Sequence, residues 1–277
     1  MHGRNKTIRN IILTLIGILL AVVYLFPIYI LIVNSFKTQK GIYTDILGLP
    51  GAETFTLDNY PEAFTQLEFL KTFMNSLLIT VISTAVIVVF TSMAAWALVR
   101  VKSKISGGIF FMFAAAMLIP FQCVMLPLMN VLGKIGALNP IGLGFAYLGF
   151  GSSLSIIMFH GFIKSVPLEL EEAARMDGCG VFRTFWVIVF PLLKTIIVTV
   201  FILNVMWIWN DFLLPQLVIN NPDWETIPLK TFYFFGQYSK RWDLATAGLL
   251  LGMIPIILFY LFAQKYIVKG VTDGAIK

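Results

Sequence analysis

Six stretches of this chain are apolar over a length that can cross a lipid bilayer, and no other feature limits its possible folds as strongly. A helix needs about 20 apolar residues to span the hydrocarbon core. The stretches are Ile11–Val33, Thr72–Val99, Ile109–Leu132, Leu143–Ile163, Phe185–Trp209 and Leu244–Ala263. The fifth is the least clean, because Pro191 and Lys194 interrupt its start. The first follows a basic segment (Arg4, Lys6, Arg9), but it is too long for a signal-peptide core and lacks a small-x-small cleavage site, so it reads as an uncleaved span. Only 12% of the 277 residues are charged and 58% are hydrophobic, whereas a soluble domain carries roughly 25% charged residues. The expected fold class is an all-α membrane protein with six transmembrane helices, in one domain over residues 1–277.

The basic residues then orient the chain. With the amino terminus in the cytoplasm, thirteen of the twenty Lys and Arg fall on inner segments and seven on outer loops, although the outer loops are longer. That asymmetry favours the amino terminus inside, and six spans return the carboxyl terminus to the same side. The net charge of +6 sits between apolar segments and forms no basic stripe interleaved with stacking aromatics, so no nucleic-acid partner is expected. Cys123 lies in an apolar segment and Cys179 in a polar loop, so both are expected as unpaired thiols. Neither cysteine has metal-ligand spacing, and His2 and His160 are too few and too scattered, so no metal site is expected. Two outer segments are long, Asn34–Lys71 and Asp211–Asp243, and the first carries a candidate surface helix at Asp58–Phe64.

The connection between spans four and five is the most informative. It reads Ser165-Val166-Pro167-Leu168-Glu169-Leu170-Glu171-Glu172-Ala173-Ala174-Arg175-Met176-Asp177-Gly178. Pro167 suits a first helical turn. Glu169, Glu171 and Glu172 follow where the macrodipole favours negative charge. Ala173, Ala174, Arg175 and Met176 are good helix formers, and Gly178 can end the helix in a left-handed conformation. A helix of about three turns is expected, with Leu170, Ala173, Ala174 and Met176 on a face that can dock. An ordinary interfacial helix fits the same pattern.

These residues carry a resemblance. Glu172-Ala173-Ala174, then Asp177-Gly178, then Ile188-Val189-Phe190-Pro191, resembles the EAA loop of ABC-importer permeases. That pattern is E-A-A, three residues, G, about nine residues, and an apolar-x-apolar-Pro finish; Phe190 stands where Leu is more usual. Trp209-Asn210-Asp211-Phe212, with Pro215 after it, resembles a W-N-[DE]-F stretch of the carbohydrate permeases. The tail Gln264–Lys277 is similar to the ending of the maltose-permease G-subunit type, with Asp273 where a small residue is usual.

The resemblance implies a type I ABC importer permease fold with a cytoplasmic coupling helix, in a bacterial plasma membrane. It implies a second permease subunit, in a heterodimer, and an ATPase subunit dimer that holds ATP and Mg. An extracytoplasmic lipoprotein or periplasmic binding protein would deliver a sugar. It assigns ATPase coupling to Glu172, Ala173, Ala174, Asp177 and Gly178, and a tail contact with the ATPase to Gln264, Lys265, Gly270, Thr272 and Gly274. No catalytic residue or cofactor is expected on this chain. Its Gly133-Lys134-Ile135 does not complete a phosphate-binding loop, which needs G-x-x-x-x-G-K-[ST].

For the substrate pathway the candidates are Trp207, Trp209, Asn210 and Asp211, because sugars bind through aromatic faces and a few directed polar groups. The competing reading makes both tryptophans anchors in an interfacial belt. Gln122 is a weaker pathway candidate, and Gly248-x-x-x-Gly252 reads as helix packing. Three rival functions stay open. A permease for glycerol phosphate or another small solute would share this architecture. A self-sufficient transporter or channel would carry ionisable relays inside its spans, where this chain has almost none. An intramembrane enzyme would need a Ser-His, paired-Asp or H-E-x-x-H arrangement, and none is present in the sequence.

Overall fold

The computed structural model describes the backbone of residues 2–236 and 240–275, and side chains for 9–236 and 240–266. Among these residues the structure is helical, with only the isolated bridges Lys37–Phe55 and Phe235–Lys240 in extended pairing. In chain order the helices are α1 (His2–Ser35), α2 (Gln39–Thr44), α3 (Asn59–Gln66), α4 (Phe69–Arg100), α5 (Lys104–Ala116), α6 (Phe121–Lys134) and α7 (Pro140–Ile163). They continue as α8 (Leu168–Met176), α9 (Val181–Thr184), a π-helical turn (Phe185–Val189), α10 (Phe190–Leu192), α11 (Lys194–Trp209), α12 (Leu213–Val218), α13 (Ile227–Phe232) and α14 (Trp242–Ala275).

Four helices, α1, α4, α7 and α14, are long and apolar enough to cross a membrane. Two helix pairs reach that length only together. The stretch expected as a single span at Ile109–Leu132 is broken between α5 and α6, which meet at 106°. Pro120 is the cause. It lacks an N–H and disfavours helical geometry at Ile119, and its own extended backbone (φ −61°, ψ 140°) starts a new helix. The fifth stretch begins earlier than expected, at Val181, and bends by 79° at Leu193, after Pro191.

Two compact units make up the chain, residues 1–69 with 230–254, and residues 70–229 with 255–277. In the first unit the expected surface helix is present as α3. Asn59 Nδ2 donates to the carbonyls of Ser35 (2.9 Å) and Lys37 (2.8 Å), and the buried Lys37 Nζ donates to the Asp45 carbonyl at 2.6 Å. Ala63, Leu67, Phe234, Leu244, Ala245 and Ala247 form its core. A Cβ on Gly248 would lie 3.1 Å from Phe234 and 3.2 Å from Leu67, so this glycine serves close packing.

The second unit packs α4, α7 and α11 around two apolar clusters. Asn139 starts α7 by accepting from the N–H groups of Ile141 and Gly142, with Pro140 in the first turn. Gly151 lets α7 approach its neighbours: a Cβ there would meet Ile87 Cδ1 at 2.7 Å and Asn204 Oδ1 at 2.9 Å. Asn204 in turn donates to Ser155 Oγ (3.2 Å) and to the Val200 carbonyl (2.8 Å), so no amide proton is wasted inside the bundle.

Candidate functional site: the α8 loop and the C-terminal end of α11

The helix expected between spans four and five is α8, nine residues long. It starts one residue later than expected. Pro167 is extended (φ −58°, ψ 131°) and stands at the cap, not in the first turn. The helix ends as its sequence predicts. Gly178 adopts φ +80°, its N–H bonds the Arg175 carbonyl at 3.0 Å, and the Cys179 N–H bonds the Ala174 carbonyl at 2.9 Å. This pair of bonds is the Schellman arrangement. A side chain at Gly178 would meet nothing within 4 Å, so only the backbone demands glycine.

The EAA residues do not share one face. Glu172, Ala173, Asp177 and Gly178 are exposed, whereas Ala174 is buried toward the bundle. Met176 is 88% exposed and Phe182 is 71% exposed, so the α8 loop leaves large apolar side chains open near the EAA positions in sequence. Sequence reasoning missed the group that fastens the helix. Glu171 is fully buried. Its Oε1 accepts from Arg100 Nε at 2.8 Å and pairs with Arg100 Nη2 at 2.7 Å, while its Oε2 accepts from Trp96 Nε1 at 3.0 Å. Arg100 Nη2 also donates to the Val166 carbonyl at 3.0 Å. The missed signal is the spacing of Trp96 and Arg100, four apart at the end of a span and so on one helical face.

The four pathway candidates are adjacent in sequence but take separate positions. Trp209 is buried and packs edge-on against Phe73 at 5.7 Å. Trp207 is partly exposed and meets the Tyr147 ring edge-on at 5.5 Å. Asn210 folds back, its Nδ2 donating to the Met206 carbonyl at 2.7 Å. Asp211 accepts from the Tyr147 hydroxyl at 3.0 Å and from the Leu213 N–H at 3.1 Å. Burial lifts the Asp211 carboxyl above its ordinary range, and the Tyr147 hydroxyl and the N–H groups of Leu214, Leu213 and Phe212 pull it back. Tyr147 was the overlooked member. A buried phenol hydroxyl within a span needs a partner, and Asp211 supplies it. Gln122 is exposed on the first turn of α6. In the tail, Gln264 donates to the Leu261 carbonyl and Lys265 lies over the Tyr266 ring, whereas Gly270, Thr272 and Gly274 lie outside the residues whose side chains are described.

Comparison with known proteins places this architecture. The profile of the family described as "Binding-protein-dependent transport system inner membrane component" matches residues 87–273. The chain belongs to that family. It is 46% identical over 274 residues to a "Probable starch degradation products transport system permease protein AmyC" of Thermoanaerobacterium thermosulfurigenes, covering 99% of each chain. It is 35% identical to the "Multiple sugar-binding transport system permease protein MsmG" of Streptococcus mutans, covering 97% of this chain and 96% of that one. The fold matches a bacterial ABC transporter that imports the acidic polysaccharide alginate, with a TM-score of 0.77 at 22% identity, over 95% of this chain and 98% of that one. The resemblance to ABC-importer permeases of the carbohydrate-uptake type therefore holds, and the chain is a multi-pass membrane transport protein. Membership implies, in general, a partner permease, an ATPase and a substrate-binding protein.

Proposed function

We propose that this chain is one of two permease subunits of an ATP-driven, binding-protein-dependent importer of di- or oligosaccharides. It forms a single permease domain over residues 1–277, crosses the membrane six times, and keeps both termini in the cytoplasm. Each bent pair, α5 with α6 and α9–α10 with α11, counts as one crossing in this reading. The exposed EAA positions Glu172, Ala173, Asp177 and Gly178, with Met176 and Phe182 open near them in sequence, seat in an ATPase subunit. ATP and Mg are held there, not on this chain. Small residues let the partner approach, and Glu172 makes a charge-assisted bond with a partner cation. The tail around Gln264, Lys265, Gly270, Thr272 and Gly274 adds a second contact. Trp207, Asn210 and Asp211 face the sugar's path, with Trp209 holding that end of α11 against α4.

The observation that carries this reading is the exposed EAA surface at Glu172, Ala173, Asp177 and Gly178 on a short helix closed at its end by the left-handed Gly178. The sugar class is drawn from relatives named for starch products and multiple sugars. The test is affinity purification of the tagged chain from native membranes, with mass spectrometry of what accompanies it. An ATPase and a second permease near stoichiometry are expected, followed by sugar-dependent ATP hydrolysis once the binding protein is added. A chain that repeatedly emerges alone would sink the importer reading. Hydrolysis stimulated by glycerol phosphate and by no sugar would move the substrate class.

A further inference from the structure

We propose that the buried cluster of Trp96, Arg100 and Glu171 clamps α8 to the end of α4, so that these two helices move as one body. α4 then becomes the element through which motion at the coupling helix enters the membrane. This rests on the reading of α8 as the ATPase-docking helix.

Only Glu171 and Ala174 of α8 are buried. Ala174 offers a single methyl and α8 also lies against the π-helical turn, but Glu171 supplies the polar link to α4. All three donors to its carboxylate come from one helix, one turn apart, and they occupy both oxygens. Arg100 also ties the Val166 carbonyl, just before the turn that starts α8. Below the pair, the Trp96 ring packs at a tilt against Phe185, centroids 5.3 Å apart, within the apolar cluster of Ile163, Val166, Val189 and Leu193. An exposed ion pair would be loose and weak. A buried, fully hydrogen-bonded one tolerates few geometries, because losing a partner strands a charge away from water. The adjacent Glu172 points outward and takes no part. Two neighbouring glutamates thus divide the work, one gripping inward and one left for a partner.

The test uses spin labels at Arg175→Cys on α8, exposed and outside the docking residues, and Val101→Cys just past the end of α4, in a Cys123→Ser, Cys179→Ser background. Val101 is exposed too, and its N–H still bonds the Ala97 carbonyl. Distances are measured in the assembled complex, without nucleotide and with a non-hydrolysable ATP analogue. The expected result is one narrow distance, the same in both states. Glu171→Gln should broaden it and lower transport per ATP hydrolysed by about tenfold, with the ATPase still bound. Arg100→Lys, with Glu171 intact, keeps a cation facing the carboxylate and should retain most of the narrow population. Should Glu171→Gln fail to assemble, Trp96→Phe removes the indole donor while keeping an aromatic ring beside Phe185, and carries the same test. A wild-type distance that shifts with nucleotide, or an unaltered distance in Glu171→Gln and Trp96→Phe, overturns the clamp. If no ATPase copurifies, the importer reading fails instead, and the distances on the chain alone still report whether the cluster fixes α8.

Discussion

The connection leading from α7 into α9 and the one leading from α11 into α13 serve opposite ends of the same helices, and they are fastened by different chemistry. The first hangs on a buried charge cluster and leaves most of its apolar side chains open, with Met176 and Phe182 among the most exposed, although Val166 and Ala174 are buried. The second hangs mainly on buried neutral groups, beside an exposed ion pair between Lys71 and Asp223 at 2.6 Å. Asn75 Nδ2 donates to the carbonyls of Asp223 (2.8 Å) and Glu225 (3.0 Å), and Ser76 Oγ accepts from the Ile227 N–H at 2.9 Å. Its apolar side chains Leu214, Val218, Ile219 and Leu229 are buried in the bundle. A segment whose apolar groups are already covered is a closed part of the fold. A segment held at one charged point with most of its apolar groups uncovered is a part awaiting a neighbour.

Breaking the first fastening should have the largest effect. Arg100→Ala strands Glu171 in an apolar setting, and removing one partner of a buried pair costs about 3–5 kcal/mol. The thermal midpoint of the purified chain in detergent should fall clearly, and an unchanged midpoint would show the pair to be weak. Asn75→Ala attacks the second fastening. It leaves two carbonyls short of a donor, at a cost of about 1–3 kcal/mol, and should speed proteolysis within residues 219–227 before the rest of the chain. Gly178→Val should cost about 1–2 kcal/mol through its left-handed backbone, while Gly178→Asn, which tolerates that conformation, should retain more uptake. Equal loss in both variants would point to a contact rather than a conformation. The smallest effect on stability is expected for Phe182→Ser, at about 0.5 kcal/mol or less for an exposed site. It should nonetheless weaken copurification of an ATPase, and full retention would separate the open apolar surface from docking.

The sequence made one of these two connections far more readable than the other. The limits of α8 follow from local chemistry, with Pro167 before it and Gly178 after it. The role of Glu171 does not, because its partner stands 71 residues away and counts, in sequence, as one more inner basic residue. Hydropathy found the apolar length of 109–132 but not its 106° bend, since Pro120 changes direction without changing polarity. Pro127 in α6 leaves its helix continuous, so proline alone was no sufficient sign. Likewise, the Trp209–Asp211 run was legible as a group, while its division among Phe73, Met206 and Tyr147 needed three dimensions.

The adjacency of Glu171 and Glu172 also sets a rule for anyone grafting this loop between related chains. Successive helical residues point about 100° apart, so inward and outward roles are a matter of phase. Deleting or inserting one residue between Val166 and Glu171 would turn the gripping carboxylate away from Arg100 and swing a different side chain into its place. A transplant that starts at Ser165 and keeps this count carries the phase with it. One that begins inside α8 inherits whatever phase the host happens to have, and a loop identical in composition would then present its partner with the wrong side.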